Sequence, residues 1–556
     1  MKKRKTPPTF KLQKINLQTL IKILKRMKGK RSHGMDNIDS YSLKLAGSLI
    51  EDSLLHLINL SITNQTFSAQ WKPQLIFPLH KKDKKTDVKN YRLVSHLVEV
   101  GKLVEYAVYD QLVEHFTTHK LFHANHHGSL AGHSTATALI QLVDLWIEAS
   151  ELTKLAATLL LDQSAAYDLV DHEIFLQKLR VYNFDEATVQ WFNSYLSGRS
   201  QVVQVESKQS SSCNLKDHAV PQGSILGGLI FIIFSNDFPE SSPEGDSVLY
   251  VDDDTDVVSD NDPVQLHQKI QNKADCSASW LRDIRMCVAG EKSKLLVIGT
   301  RNLRSSKLTQ PMIINVDSME VQESKSEKLL GVLINNELTW REHLYGETWR
   351  QGDKNAQGLI PQLSQRVGML KRMSKLMTKK RLKLFTNGIF YSKLTYCLPV
   401  FGQVFGLDSY RDNSTRNMSF TKEDNRKLQV LQNRVMRLLT GMRLGTPTTT
   451  LLNLTKSLSV QQMIAFQTLI MVHKVVINAK PVYLAERLKL RNDGARSQGK
   501  LIKVNHNLST SRAGFIYRGS KLFNNLHEEL RKETNLSKFR TGVRKWVLET
   551  ISAKPV

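Results

Sequence analysis

Four aspartates occupy five positions in LYVDDDTDVV, residues 249–258: Asp252, Asp253, Asp254 and Asp256. Like charges this close repel, and the flanking residues are of the kind that sheets bury. A turn uses one or two Asp side chains to bond nearby backbone N–H groups, so a turn alone does not require four. A calcium loop needs Gly at its sixth position and Glu at its twelfth. Val257 and Pro263 stand there, which excludes that reading. The remaining chemistry is a divalent-metal site for phosphoryl transfer. Hard cations cancel the repulsion and take oxygen ligands, and two Mg²⁺ ions about 3.5–4 Å apart require converging carboxylates. LAATLLLD, 155–162, reads as a strand buried on both faces and ends on Asp162. Two such strands ending at one sheet edge would bring Asp162 to Asp252 and Asp253. On spacing alone, the turn and the metal site both stand.

These residues need a framework. SVLYV (247–251) is an apolar strand leading into the aspartates, and KLLVIG (294–299) and KLLGVLI (328–334) read as two more. Between them, Val264, Leu266, Ile270, Ala274, Trp280 and Leu281 recur at helical intervals. Strands interleaved with helices predict an α/β or α+β core. Upstream, Ile15, Leu17, Leu20, Ile21 and Leu24 form one amphipathic helical pattern, and a second apolar, helical stretch runs to about residue 62. Residues 75–95 read as strand, basic turn and strand, and 102–117 as helix. Ser134 and Thr135 stand as caps of a further helix.

The chain has 556 residues and carries 78 Lys and Arg against 52 acids, a formal charge of +26. An excess of that size resists compaction and points to a polyanionic partner, nucleic acid before an anionic membrane surface. No apolar run approaches the ~20 residues that span a bilayer; the longest is ILGGLIFIIF, 225–234. Cys213, Cys276, Cys287 and Cys397 form no CxxC pair, so neither a zinc knuckle nor a disulfide framework is read, and a reducing, intracellular setting is expected. KKRK at 2–5 reads as a solvated basic end or a nuclear-import patch. Residues 354–407 contain no acid and ten Lys or Arg, and 411–425 reads as a polar linker.

Three segments together resemble a reverse transcriptase, in detail that of the non-LTR, LINE-class retrotransposons. They are LLLDQSAAYDLVDHEIFLQKL (159–179), AVPQGSILGGLIFIIFSNDFP (219–239) and LYVDDDT (249–255). The first resembles the palm motif with its catalytic Asp, the second the PQG motif and the third the Y-x-D-D motif. Other pieces follow in order. GMDNID (34–39) and PLHKKDKKTDVKNYRLVS (78–95) resemble the fingers, and HHGSLAGHST (126–135) resembles a further family stretch. EKSKLLVIGT (291–300) resembles the Lys motif that follows the catalytic hairpin, and KLLGVLINNELTWREHL (328–344) the primer-grip region. LQNRVMRLLTG (431–441) and FIYRGSKLFNNL (515–526) resemble C-terminal segments.

The resemblance implies an α+β right-hand polymerase with fingers, an RRM-like palm on an antiparallel sheet, a helical thumb and a basic, mostly helical C-terminal region. It implies metal ligands at Asp162, Asp252 and Asp253, holding two Mg²⁺ or Mn²⁺ ions. Lys292 matches a Lys that protonates the departing pyrophosphate. Lys81 or Lys82 with Arg92 match cations that hold the triphosphate. Tyr167 matches the aromatic beneath the incoming sugar, and Gln222 and Gly223 the loop near the templating pair. Lys371, Arg372, Lys375, Lys379, Lys380 and Arg381 fall where a thumb grips backbone phosphates. Each cation is otherwise an ordinary solvated charge, and Tyr167 an ordinary packed aromatic. Leu93 and Gly228 stand where the family usually has Pro. Val251 with Asp253 and Asp254 is a second possible register of the Y-x-D-D motif. Asp168 and Asp171 read as turn or helix-cap residues.

The expected divisions are an N-terminal extension and fingers (1–150), palm (151–345), thumb (346–410) and a C-terminal nucleic-acid-binding region (411–556). The implied reaction is extension of a DNA primer 3′-OH on an RNA template. The partners are RNA template, DNA primer or target DNA and dNTPs, with no membrane. The setting is intracellular, in nucleus and cytoplasm, and the oligomeric state is open. The match begins near residue 15 to 30, and no endonuclease or RNase H constellation is read. The rivals are a decayed or domesticated RNA-binding relative and an intron-encoded maturase. A maturase predicts a further C-terminal domain, which is not seen.

Overall fold

The computed structural model describes residues 7–81, 84–163, 166–348, 357–404, 420–491, 499–502, 512 and 514–551. The elements that matter to the site follow in chain order. Strands β1 (Gln74–His80) and β2 (Tyr91–Leu97) lead into helix α1 (Glu99–Thr118). Helix α2 (Thr135–Glu151) precedes β3 (Leu155–Asp162). Helix α3 (Glu186–Leu196), strand β4 (Ser200–Val205) and helix α4 (Gly227–Phe234) come next. The acidic hairpin is β5 (Asp246–Tyr250) and β6 (Asp253–Asp260), followed by α5 (Pro263–Asp283) and β7 (Lys294–Ile298). Strands β8 (Ser326–Leu329) and β9 (Val332–Asn335) and helices α6 (Leu359–Met373) and α7 (Lys379–Thr386) complete the set.

The chain divides into two compact units, each assembled from separated stretches. The first draws on Met1–Ser129, Asp162–Pro243 and Cys276–Ala289. The second draws on Leu130–Leu161, Glu244–Asp275 and Gly290–Val556.

In the first unit β1 pairs antiparallel with β2 through all seven residues and parallel with β4. The strand–turn–strand expected over 75–95 is this hairpin. Helix α1 buries Leu103, Val104, Ala107, Val108, Leu112 and Phe116, spaced at three and four residues as on one helical face. Helix α4 is apolar all round and buried all round, as a helix enclosed by its own domain must be.

In the second unit the sheet order is β5-β6-β3-β7. Pairing is antiparallel between β5 and β6 and between β3 and β7. Ser134 caps α2 and shares a capping box with Thr137, which satisfies two of the free N–H groups at the helix start. Trp146 of α2 donates its ring N–H to Thr158 of β3 at 2.9 Å, and both are buried. Later helices Lys422–Thr440, Val460–Asn478, Phe515–Asn524 and Leu536–Thr550 extend the same core.

Two sequence readings change. KLLGVLI is not one strand but the turn of the β8–β9 hairpin, with Leu329 paired to Val332. Leu330 and Gly331 between them have φ of +46° and +81°, the requirement of a tight two-residue hairpin turn. Val460–Asn478 is, by length and mean hydropathy of 1.3, a helix apolar enough to cross a membrane, although 67% of it is buried in the protein. Polar Gln461, Gln462 and His473 break the run in sequence, and the apolar residues between and after them supply the average. The four cysteines are all free thiols.

Candidate active site

The β5–β6 hairpin turns in two residues, Val251 and Asp252, with Tyr250 paired to Asp253. Val251 has φ of +63°. A β-branched residue in the left-handed region is strained, and such strain persists only where its surroundings enforce it. Tyr250 packs against the core of the second unit, which anchors one arm of the turn. Asp252 and Asp253 are exposed at the tip. Strand β6 lies beside β3, whose last residue is the exposed Asp162.

Asp254 and Asp256 are not turn residues. They lie inside β6 and are 2% and 0% exposed. Alternation along a strand sends them to the opposite face from Asp253. Ser247, paired across the hairpin with Asp256, donates its hydroxyl to that carboxylate at 2.5 Å. Lys273 of α5 brings its ammonium to 3.7 Å from Asp256, and both side chains are 0% exposed. Lys273 occupies the buried stripe of its helix with Leu266, Ile270, Ala274 and Ser277. Sequence reading missed this pair. The available signal was a lysine at a core position of an amphipathic helix, next to a strand with surplus acids.

The other carboxylate strand ends in the first unit, where the Asp162 carbonyl accepts the Ala289 N–H at 2.8 Å. Tyr167 stacks on Phe231 of α4, with ring centroids 5.3 Å apart and planes 21° from parallel. Its carbonyl accepts the Val220 N–H at 2.8 Å, and a side-chain carbon on Gly228 would sit 3.8 Å from its hydroxyl.

Gln222 and Gly223 are fixed against β2: Ser95 donates its N–H to the Gln222 carbonyl at 2.9 Å. Gly223 has φ of +127°, and a side-chain carbon there would lie 2.7 Å from the Ser95 carbonyl oxygen. Only glycine fits that contact. The Gln222 amide donates to Asp168 at 3.4 Å, and partial burial raises the Asp168 carboxyl above the ordinary carboxylate range. Lys81 is near enough to oppose that rise. Asp168 closes the short 3₁₀ turn Ala166–Asp168, as expected of a turn residue, and its side chain also serves the Gln222 loop, whereas Asp171 is the helix cap expected, accepting the Ile174 N–H at 3.0 Å.

A pocket of about 220 Å³ opens here, with Leu93, Ser95, Asp168, His218 and Gln222 in its wall. Lys81 and Arg92 are exposed on the β1–β2 hairpin. Lys82 lies outside the described residues. Lys292 is exposed in the turn Gly290–Lys292 ahead of β7.

In the second unit Lys371 and Arg372 of α6, Lys375 between the helices, and Lys379, Lys380 and Arg381 of α7 are all exposed. Leu363, Leu370 and Leu382 are buried beneath them. The ends of the acid-free segment, 354–356 and 405–407, lie outside the described residues, as does 411–419 of the expected linker.

Carboxylate oxygens are the right donors for Mg²⁺ or Mn²⁺. Among the described residues, however, no three His, Cys, Asp or Glu side chains are gathered tightly enough to hold a metal ion. The donor chemistry fits the ions, and the full ligand set is not drawn together.

Residues 79–334 match the family described as Reverse transcriptase (RNA-dependent DNA polymerase). The chain is 24% identical over 437 residues to a probable RNA-directed DNA polymerase from transposon BS of Drosophila melanogaster, covering 77% of this chain and 45% of that protein. It is 25% identical over 439 residues to the corresponding protein of transposon X-element, covering 77% and 44%. The polymerase from mobile element jockey of the same species is 24% identical over 343 residues, covering 60% and 36%. The chain thus spans less than half the length of these curated relatives. Among solved structures, an apo telomerase from Candida Tropicalis overlaps 49% of this chain and 55% of its own, at 12% identity and a TM-score of 0.31.

Proposed function

We propose that the chain is an RNA-directed DNA polymerase of a non-LTR retrotransposon, extending a DNA primer on an RNA template. The observation that carries this is the strained Tyr250–Asp253 turn with two exposed carboxylates at its tip, inside the segment 79–334 that matches the reverse transcriptase family. The exposure of Asp252 and Asp253 against the burial of Asp254 favours the register with Tyr250 as the motif tyrosine.

In this reading the β5-β6-β3-β7 sheet is the palm, the β1–β2 hairpin belongs to the fingers, and α6 and α7 are the thumb. Asp162, Asp252 and Asp253 would hold two Mg²⁺ or Mn²⁺ ions, which supply activation of the primer hydroxyl and neutralisation of leaving-group charge. The residues of the chain do the remaining work. Lys81 and Arg92 bind the triphosphate of the dNTP. Tyr167, held flat on Phe231, underlies the sugar and excludes a 2′-hydroxyl. Gln222 and Gly223 present backbone to the base pair. Lys292 donates a proton to the departing pyrophosphate. The cations of α6 and α7 bind backbone phosphates, so affinity falls as salt rises. Such catalysis is mainly positioning and charge stabilisation. Four free thiols suit a reducing, intracellular setting.

Primer extension on poly(rA)/oligo(dT) with Mg²⁺ or Mn²⁺ tests the reading, comparing wild type with Asp252→Asn. Incorporation by wild type and its loss in the variant are expected. A folded wild type without incorporation refutes the polymerase and favours the RNA-binding alternative. Equal activity in Asp252→Asn refutes the site.

A further inference from the structure

The Gln222–Gly223 loop has a second anchor a few residues on, at Ile225 and Leu226, which the reaction itself does not use. Glu105 of α1 is 1% exposed. Its carboxylate accepts the Ile225 N–H at 2.5 Å and the Leu226 N–H at 3.4 Å. These are the residues immediately before α4. The neighbouring Gly227 N–H goes to the Ser224 hydroxyl at 2.7 Å. No side chain caps α4 from its own N-cap position, so Glu105 and Ser224 supply acceptors for the free N–H groups at its start. A negative charge at a helix N-terminus is also favoured by the helix dipole.

One further buried side chain bonds that carboxylate, and a buried cation lies behind it. Tyr195 of α3, 0% exposed, donates its hydroxyl to Glu105 at 3.2 Å. Arg199, 2% exposed, lies over the Tyr195 ring with 4.4 Å to the centroid and gives its Nε–H to the Tyr195 carbonyl at 2.7 Å. Its two terminal nitrogens find no hydrogen-bond acceptor among the described residues, and its charge opposes the rise that burial imposes on the Glu105 carboxyl. A carboxylate in the interior is costly unless paired and hydrogen-bonded. Helix α1, the end of α3 and the start of α4 thus meet on one acid. Three residues from Ile225 sits Gln222, whose carbonyl is bound by the Ser95 N–H.

We propose that Glu105 is a positioning residue: its buried carboxylate fixes the start of α4 and thereby sets Gln222 and Gly223 against the incoming nucleotide. The proposal rests on the polymerase reading for the nucleotide, and on geometry alone for the anchoring.

The experiment uses the full chain as wild type, Glu105→Gln and Tyr195→Phe. Glu105→Gln keeps the shape and one acceptor oxygen and removes the charge. Hydrogen exchange at residues 222–226 is expected to speed up in it. In primer extension the KM for dTTP is expected to rise about tenfold, the size of a lost hydrogen bond to a charged group. Discrimination against mismatched dNTPs is expected to fall, while primer–template affinity and turnover per titrated active site hold. Tyr195→Phe removes one donor and leaves the acid, so a smaller shift of about threefold in the same direction is expected. An unchanged KM in soluble Tyr195→Phe and Glu105→Gln, with only the melting temperature or the active fraction lowered, makes the acid merely structural and overturns the proposal. If Glu105→Gln does not fold, an unchanged KM in Tyr195→Phe overturns it alone. Amides 222–226 as protected in Glu105→Gln as in wild type overturn the anchoring. A wild type that incorporates nothing overturns the polymerase reading, and the nucleotide role with it.

Discussion

Removing the Lys273 ammonium beneath the acidic hairpin should destabilise that hairpin far more than an ordinary surface change would. Lys273 and Asp256 are both 0% exposed, with 3.7 Å between Nζ and Oδ1. At an effective dielectric of about 20, that separation corresponds to roughly 4–5 kcal/mol of attraction. Breaking a buried pair by removing one partner costs about 3–5 kcal/mol, because a charge is left behind in the interior. Lys273→Met therefore takes from Asp256 the ammonium at 3.7 Å and keeps the Ser247 hydroxyl. The double variant Lys273→Met/Asp256→Leu removes both charges, and replacement of a buried pair by apolar groups is often close to neutral. It should lie within about 1–2 kcal/mol of wild type, the Ser247 hydroxyl having lost an acceptor. The assay is hydrogen exchange of amides 246–260, which reads local stability without requiring the two units to unfold together. Lys273→Met should exchange about a hundredfold to a few thousandfold faster there, and the double variant should recover most of that. A single variant within tenfold of wild type, or a double variant at least as fast as the single, refutes the reasoning.

Other outcomes follow from single distances and burials. Gly223→Ala forces a side-chain carbon to within 2.7 Å of the Ser95 carbonyl at φ of +127°. It should cost about 1–3 kcal/mol and speed exchange at Ser95 and Gln222; unchanged exchange and incorporation would contradict the contact. Neutralising Lys379, Lys380 and Arg381 together should lower the slope of log affinity against log salt for a primer–template duplex by up to about 2–3; an unchanged slope would move the duplex groove elsewhere. His343 is buried, which pushes its ring down to a pKa of about 3. Its neutral form is required in the fold, so its contribution is complete above the unfolded value near 6.5 and is lost as pH falls toward 3. Between pH 6 and 4 wild type should lose up to about 1.4 kcal/mol per unit more than His343→Phe; urea melts with equal slopes would show that His343 is protonated in place.

The parts of the fold that were legible in sequence are those governed by local pattern. The all-apolar LAATLLLD became β3, and the stripe of Leu266, Ile270 and Ala274 became α5. The β8–β9 turn was missed because KLLGVLI is apolar throughout, and only Gly331 marks the break. The division into two units was hidden for a different reason. Each unit is built from three separate stretches, and which stretches share a core is decided by long-range burial that no local period encodes. Glu105 reads in sequence as one acid on a helix. Its role depends on Tyr195, Arg199 and Ile225, about ninety to one hundred and twenty residues away.

The acidic stretch itself joins the two levels. Four aspartates in five positions are a contradiction only if they share one environment. A strand alternates its faces, so the turn takes Asp252, the first strand position takes Asp253, and the opposite face takes Asp254 and Asp256 into the interior. The exposed pair stands where cations and phosphates can arrive from solvent. The buried Asp256 has its cation built in, as Lys273 on the helix across that face. An unpaired acid on that face would favour conformations that lift β6 toward water, and the tip would move with it. The Lys273–Asp256 pair removes that tendency and holds the strand from which Asp253 projects. In a chain with 78 basic residues, Lys273 thus sits in the dry interior, where it gives a fixed place to the acids at the surface.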